Sequence, residues 1–181
     1  MKGMKLVMKE IIYNYDFLSE KDISKVVLRA KALIINNNNI LVGNEDGILQ
    51  FPGGHLEENE NFKNCLKREV LEETGIELDD EEISEPFMLV TYLSKDWPES
   101  GINQKAIILY FLVETTKEPN LANVNYTEHE KKGKFKIEKI PLEAAIDIIK
   151  NNIPNNRKNE SIAPEMIAAI EEYMKRFCKC R

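Results

Sequence analysis

The 181-residue chain is poor in cysteine and carries more negative than positive charge. Its three cysteines, Cys65, Cys178 and Cys180, make an odd number without a disulfide framework, which favours a reducing, cytoplasmic setting. No apolar run reaches the roughly 18 residues of a membrane-spanning helix, and residues 1–12 lack the apolar core of a signal peptide. The formal net charge of −6 argues against a large nucleic-acid partner, which would require a basic surface. We therefore expect a cytoplasmic protein without membrane contact.

The order of apolar and polar segments predicts one domain with strands and helices interleaved. A mixed β-sheet covered by helices on both faces suits this order. The polar residues 117–134 show no periodicity, and loops of that length in compact domains are often functional. The predicted strands are 4–13, 26–35, 40–42, 48–51, 87–93, 105–114 and 135–140, and the predicted helices are 62–74, 141–150 and 162–177.

The helix predicted at 62–74 has clear end signals. Asn61 precedes it as an N-cap would, and Gly75 follows it as a residue past the C-terminus would. A helical projection places an apolar stripe on one face, and this stripe becomes acidic towards the C-terminus. The apolar members are Phe62, Cys65, Leu66 and Val70, and the acidic members are Glu69, Glu72 and Glu73.

Three carboxylates on that face would be costly without a partner. Buried carboxylates need counter-charges, like charges at this spacing repel, and the helix dipole disfavours anions in the last turn. A hard divalent cation would remove all three penalties, because carboxylate oxygens are the ligands Mg²⁺ takes. The alternative is a solvated acidic helix face. Glu69, Glu72 and Glu73 are therefore candidate metal ligands.

The same residues fill a known motif, G-x5-E-x7-R-E-U-x-E-E-x-G-U with U apolar. Its fixed positions are occupied by Gly54, Glu60, Arg68, Glu69, Val70, Glu72, Glu73, Gly75 and Ile76. The chain therefore resembles the Nudix hydrolases. The resemblance implies a Nudix-type α/β/α sandwich with a mixed β-sheet, covering about residues 26–150. It also implies hydrolysis of a diphosphate bond in a nucleoside diphosphate linked to another moiety, with one to three Mg²⁺ ions as cofactor and Mn²⁺ as a substitute.

The resemblance assigns roles to individual residues. Glu69, Glu72, Glu73 and the carbonyl of Gly53 would hold the metal, and Glu60 and Arg68 would form an ion pair that aligns the glutamates. The general base varies within the family. It would be a glutamate of the motif, such as Glu72 or Glu73, or one on the long loop, where Glu128 is preferred over Glu130.

The substrate is less well defined by the sequence. Tyr92, sixteen residues after Ile76, resembles a residue of dinucleoside polyphosphate hydrolases, although β propensity alone also explains a strand aromatic. His55 is either a phosphate contact or an exposed loop imidazole, and Arg29 is a third substrate-binding candidate. We leave the subfamily unassigned and expect a small nucleotide-type substrate.

Two other classes of protein share this fold. One is a nucleotide-binding sensor or docking domain without turnover, and the other is an enzyme resembling isopentenyl diphosphate isomerase. The complete set of motif glutamates favours hydrolysis over both. Residues 1–25 and the helix at 161–177 lie outside the resemblance, and either capping of the sheet or a homodimer contact would explain them.

Overall fold

The computed structural model of the chain describes residues 8–132 and 134–177, apart from the side chains of His129 and Glu130. Cys178 and Cys180 lie outside these residues, as does the part of the first predicted strand that precedes residue 8.

The described residues form one seven-stranded sheet. The strand order is β1-β5-β6-β2-β3-β4, and β7 pairs with β3 off this path. The β1–β5 and β2–β6 pairs are parallel and the others are antiparallel, so the sheet is mixed, as predicted. The strands are β1 (Lys9–Tyr13), β2 (Lys25–Asn36), β3 (Asn39–Glu45), β4 (Ile48–Gln50), β5 (Ile83–Ser94), β6 (Gln104–Glu114) and β7 (Lys136–Pro141).

Four α-helices occur in the described residues: α1 (Phe62–Thr74), α2 (Glu128–Lys132), α3 (Ala145–Asn152) and α4 (Asn159–Phe177). The bounds of α1 are those predicted. The prediction of a helix from Pro141 is off by one turn, because a 3-10 turn at Leu142–Ala144 precedes α3. The short helix α2 lies in the loop that was predicted to be irregular. The sequence did not predict this helix, because its five residues show no apolar periodicity.

The sheet has a hydrophobic cluster on each face, which gives the α/β/α sandwich. Successive residues of β2 point to opposite faces. Leu33 and Ile35 pack in the cluster with α3 and α4, whereas Ala32 and Ile34 pack in the cluster with α1. The predicted fold class is therefore confirmed.

The ends of α1 are fixed by the residues that predicted them. The side chain of Asn61 accepts a hydrogen bond from the backbone N–H of Asn64 at 2.9 Å, so it is the N-cap. Gly75 takes a left-handed conformation with φ 71°, and its N–H donates to the Leu71 carbonyl at 2.8 Å. The acidic end of α1 therefore has a defined position against the sheet.

The N-terminal extension lengthens the sheet, and the C-terminal extension covers one of its faces. The N-terminal extension contributes β1, which lengthens the sheet beside β5. The C-terminal extension contributes α4, which covers one face and contacts β1 through Lys9. The Lys9 ammonium donates to the Ala168 carbonyl at 3.4 Å and lies 3.9 Å from the Glu172 carboxylate.

Within residues 8–132 and 134–177, no helix combines the length and the apolar character needed to cross a membrane.

Candidate active site

The turn Phe51–Gly54 is docked on strand β2. The Pro52 carbonyl accepts from the Ala32 N–H at 2.8 Å, and the Gly54 carbonyl accepts from the Ala30 N–H at 3.1 Å. A Cβ at Gly53, where φ is +132°, would lie 2.2 Å from the Ala30 carbonyl oxygen. The approach of the two backbones therefore requires glycine at position 53.

Lys31 satisfies the alternate carbonyls of the same turn. Its ammonium donates to the carbonyl oxygens of Phe51 and Gly53, each at 2.8 Å, and the residue is only 8% exposed. Burial lowers the pKa of Lys31, and the nearby Glu73 carboxylate opposes that shift. Sequence reasoning missed this residue. The signal was a second charged side chain, two residues after Arg29, within the apolar run of β2.

Two of the three candidate metal ligands, Glu69 and Glu73, contact this turn. Glu69 is packed so closely that a Cβ at Gly54 would lie 2.4 Å from its Oε1. The Gly53 N–H donates to Glu73 Oε2 at 3.3 Å. The Glu69 and Glu72 side chains are 16% and 34% exposed, and Glu73 is 5% exposed. Burial raises the pKa of Glu69, as expected for a carboxylate held in a dry site.

Arg68 is the counter-charge at the centre of these carboxylates. Its Nε and Nη2 donate to the two oxygens of Glu60, each at 3.0 Å, which is the ion pair that the resemblance implied. Its Nη1 lies 2.8 Å from Glu69 and 3.3 Å from Glu72, and Nη2 also donates to the His55 carbonyl at 3.0 Å. The Arg68 hydrogen bonds hold the pKa of Glu60 below its usual value. Arg68 therefore orients the acidic end of α1 relative to the turn.

The donor set suits a hard divalent cation. Three carboxylates lie on one helix face, and the absence of a side chain at Gly54 leaves room for Glu69. Within the part of the chain that the structure describes, no three acidic, histidine or cysteine side chains already converge on one point. The contacts show why, since Glu69 and Glu72 face Arg68 while Glu73 faces the Gly53 N–H.

The long loop packs against the C-terminal end of α1. The N–H groups of Asn120 and Asn125 donate to the carbonyls of Thr74 and Glu72, each at 2.9 Å. Glu128 follows three residues after Asn125, but its side chain is 80% exposed and pairs with Lys131 at 2.9 Å. The side chain of Glu130, the alternative base, lies outside the described residues. The loop is therefore adjacent to the candidate site, and the base stays a prediction.

The comparison with protein families bears on this arrangement of turn, helix and loop. The model of the NUDIX domain family matches residues 26–156, which is more than half of the chain. The chain belongs to the NUDIX family. The match confirms the predicted family and, with it, a hydrolase that acts on phosphoric anhydride bonds.

Solved structures show the same Nudix fold. The ORF135 protein of E. coli is similar with a TM-score of 0.56 and 18% identity, over 86% of this chain and 94% of that one. A MutT protein from Bacillus halodurans is similar with a TM-score of 0.52 and 19% identity, over 67% of this chain and 72% of that one. At these identities the similarity supports the fold and leaves the substrate open.

Two of the three substrate-binding candidates of this Nudix chain are in contact. Arg29 Nε donates to His55 Nε2 at 3.0 Å, so the proton of the neutral imidazole is assigned to Nδ1. Burial, with Arg29 as the second cause, lowers the pKa of His55 to about 4. His55 is therefore neutral at pH 7 and acts as an acceptor for Arg29.

Tyr92 lies on the sheet face covered by α4. Its ring stacks on Tyr13 with centroids 4.7 Å apart, and its hydroxyl donates to the Ser161 carbonyl at 3.0 Å. It neighbours Glu165, a 6% exposed carboxylate whose charge also acts on Arg29. Sequence reasoning missed Glu165, because nothing within the predicted helix at 162–177 signals that this glutamate is buried. Tyr92 and Arg29 thus flank a buried carboxylate that sequence reasoning did not include.

Proposed function

We propose that this Nudix chain hydrolyses the diphosphate bond of a nucleoside diphosphate linked to another moiety, with Mg²⁺ or Mn²⁺ as the cofactor. One observation carries the proposal. Glu69, Glu72 and Glu73 lie on one face of α1, where Glu69 and Glu73 are largely buried against the Gly53-Gly54 turn and Glu72 is half-buried beside Arg68. The helix end therefore concentrates oxygen donors where an anionic substrate could not bind without a cation.

Each part of the site has a role in this reaction. A divalent cation, when bound, supplies positive charge to the diphosphate oxygens and makes water more acidic. Glu69, Glu72 and Glu73 hold the cation, and Arg68 keeps Glu60 and the helix end in register with the turn. Glu72 is the most exposed of the three carboxylates, so it can also take a proton from solvent water. Glu128 is the second candidate for that proton.

Arg29 is the candidate that best suits contact with the substrate. Its guanidinium is partly exposed, lies next to the turn, and is held by His55. A planar guanidinium binds phosphate oxygens through two parallel hydrogen bonds. Tyr92, by contrast, uses its hydroxyl on the α4 backbone and already stacks its ring on Tyr13. We therefore assign Arg29 to the phosphate end of the substrate.

The experiment is a panel of nucleoside diphosphate derivatives assayed with Mg²⁺ and with Mn²⁺ at mildly alkaline pH. Wild-type protein should release two phosphorylated products from at least one substrate. Glu72→Gln or Glu73→Gln should reduce kcat roughly 100-fold or more, since metal-ion catalysis supplies several kcal/mol. Glu81→Gln, which changes an exposed glutamate outside the motif, is the matched control and should keep wild-type kcat.

The outcomes separate the candidate functions. A substrate bound tightly but never turned over, with either metal, would replace hydrolysis with a sensor role. Full activity in Glu73→Gln would remove the metal assignment. Comparison of Glu72→Gln with Glu128→Gln identifies the base, because loss of the base removes the acid limb of the profile of kcat against pH.

A further inference from the structure

Lys31 is a buried cation directly beneath the candidate active site. It lies in an apolar strand, and its ammonium donates to the Phe51 and Gly53 carbonyls at 2.8 Å each. Both carbonyl acceptors are neutral, so an uncharged donor would satisfy them. Burial of a charge, by contrast, costs free energy. The turn alone does not require a charged donor, whereas the buried carboxylates of Glu73 and Glu165 favour the ammonium form of Lys31.

Gly53 connects this charge to a candidate metal ligand. Its carbonyl accepts from Lys31, while its N–H donates to Glu73 Oε2 at 3.3 Å. Lys31 and Glu73 therefore contact the carbonyl and the N–H of the same residue, Gly53. Both residues are less than a tenth exposed, so little solvent screens the interaction between them.

The Gly53 carbonyl thus has a donor before any metal is considered. Carbonyl and carboxylate oxygens are both ligands of Mg²⁺ and Mn²⁺, and a cation bound to Glu73 would be repelled by a nearby ammonium. We propose that Lys31 is a built-in cation that withholds the Gly53 carbonyl from the metal and weakens the site for divalent ions. This inference rests on the proposed metal-dependent function, and it leaves the metal to the carboxylates of Glu69, Glu72 and Glu73.

Lys31 positions the turn and sets the metal affinity. The direction in which metal affinity changes when Lys31 is removed distinguishes this role from simple support of the turn. If Lys31 only braces the turn, its loss should loosen Gly53 and weaken metal binding. If it competes with the metal, its loss should strengthen metal binding, because a repelling charge disappears and a carbonyl ligand becomes free.

The test is a titration of the full chain with MnCl2 alone. Binding is measured from the electron paramagnetic resonance signal of free Mn²⁺. Lys31→Met should bind Mn²⁺ about tenfold more tightly than wild type. Lys31→Gln keeps one amide donor for the turn and should change in the same direction, which covers the case in which Lys31→Met does not fold. Lys31→Arg keeps the charge and should not bind more tightly. Lys63→Met removes an exposed charge from α1 and controls for net charge.

Unchanged or weaker Mn²⁺ binding in the folded neutral variants would overturn the inference. So would a crystal structure of wild type in which Mn²⁺ is bonded to the Gly53 carbonyl. Glu73→Gln in the same titration isolates the underlying function. If that variant binds Mn²⁺ like wild type, the proposed metal site is wrong; if it binds weakly while the Lys31 variants do not change, only the role of Lys31 is wrong.

Discussion

Replacing Arg68 or Glu60 breaks the best-formed ion pair of the candidate site. The two side chains are 24% and 13% exposed, and two parallel hydrogen bonds of 3.0 Å join them. Hydrogen bonds to charged groups contribute about 1.5–3 kcal/mol, whereas exposed ion pairs contribute about 1 kcal/mol or less. For a bidentate pair of intermediate exposure, we expect a coupling energy of about 2 kcal/mol.

The assay is a double-mutant cycle of Glu60→Gln, Arg68→Met and the double variant, measured by urea unfolding at pH 7. Arg68→Met alone should cost about 3–4 kcal/mol, because it also leaves Glu69 and Glu72 without their shared counter-charge. A coupling energy below about 0.5 kcal/mol would refute the reasoning, since it would mean that the two hydrogen bonds are exchanged freely for water.

The coupling should also depend on pH in a defined direction. The Arg68 hydrogen bonds lower the pKa of Glu60 in the folded protein below the ordinary value of 4.5. The stabilisation is therefore complete above about pH 4.5 and is lost as pH falls through the lower folded pKa. A cycle repeated at pH 3 should give a smaller coupling energy than the cycle at pH 7.

Gly75→Ala should destabilise the fold by roughly 3 kcal/mol in urea unfolding, because a Cβ there would lie 1.9 Å from the Asn120 carbonyl oxygen. The control is Gly101→Ala, at a position with a similar φ of +73° but open space around it. This variant should cost only about 1 kcal/mol in the same assay. Asn159→Ala should cost about 3 kcal/mol in urea unfolding, since this buried amide makes three hydrogen bonds to backbone groups; a loss under 1 kcal/mol would contradict that reading. His55, with a folded pKa of about 4 against 6.5, makes the folded state less stable as pH falls from 6.5 towards 4. His55→Gln should therefore show a smaller drop in Tm between pH 7 and pH 5, and an unchanged drop would exclude His55 as the cause.

The parts of the fold that the sequence predicted well are those with local signals. The helix α1 begins after Asn61 and ends before Gly75, as predicted, because the N-cap side chain and the left-handed glycine act within a few residues of each end. The pair of Glu60 and Arg68 has a different origin, since the resemblance to the Nudix family implied it and no local signal did.

The features that the sequence did not predict depend on partners far along the chain. Lys31 in a strand normally faces solvent, and only the turn twenty residues later explains its burial. Glu165 is covered because α4 places it against β5 and β6, which no periodicity within α4 reveals. The parallel pairing of β1 with β5 likewise joins segments more than seventy residues apart.

Helix α4 follows every strand of the sheet in the sequence, and it completes one of the two hydrophobic clusters. A ribosome therefore makes the whole sheet, α1 and the candidate active site before the cover for the opposite face exists. During that interval Leu33, Val90 and Tyr110, which are buried in the finished fold, have only part of their final neighbours. We expect the nascent chain to be most prone to aggregation at this stage and to depend on chaperones more than the stability of the folded protein would suggest.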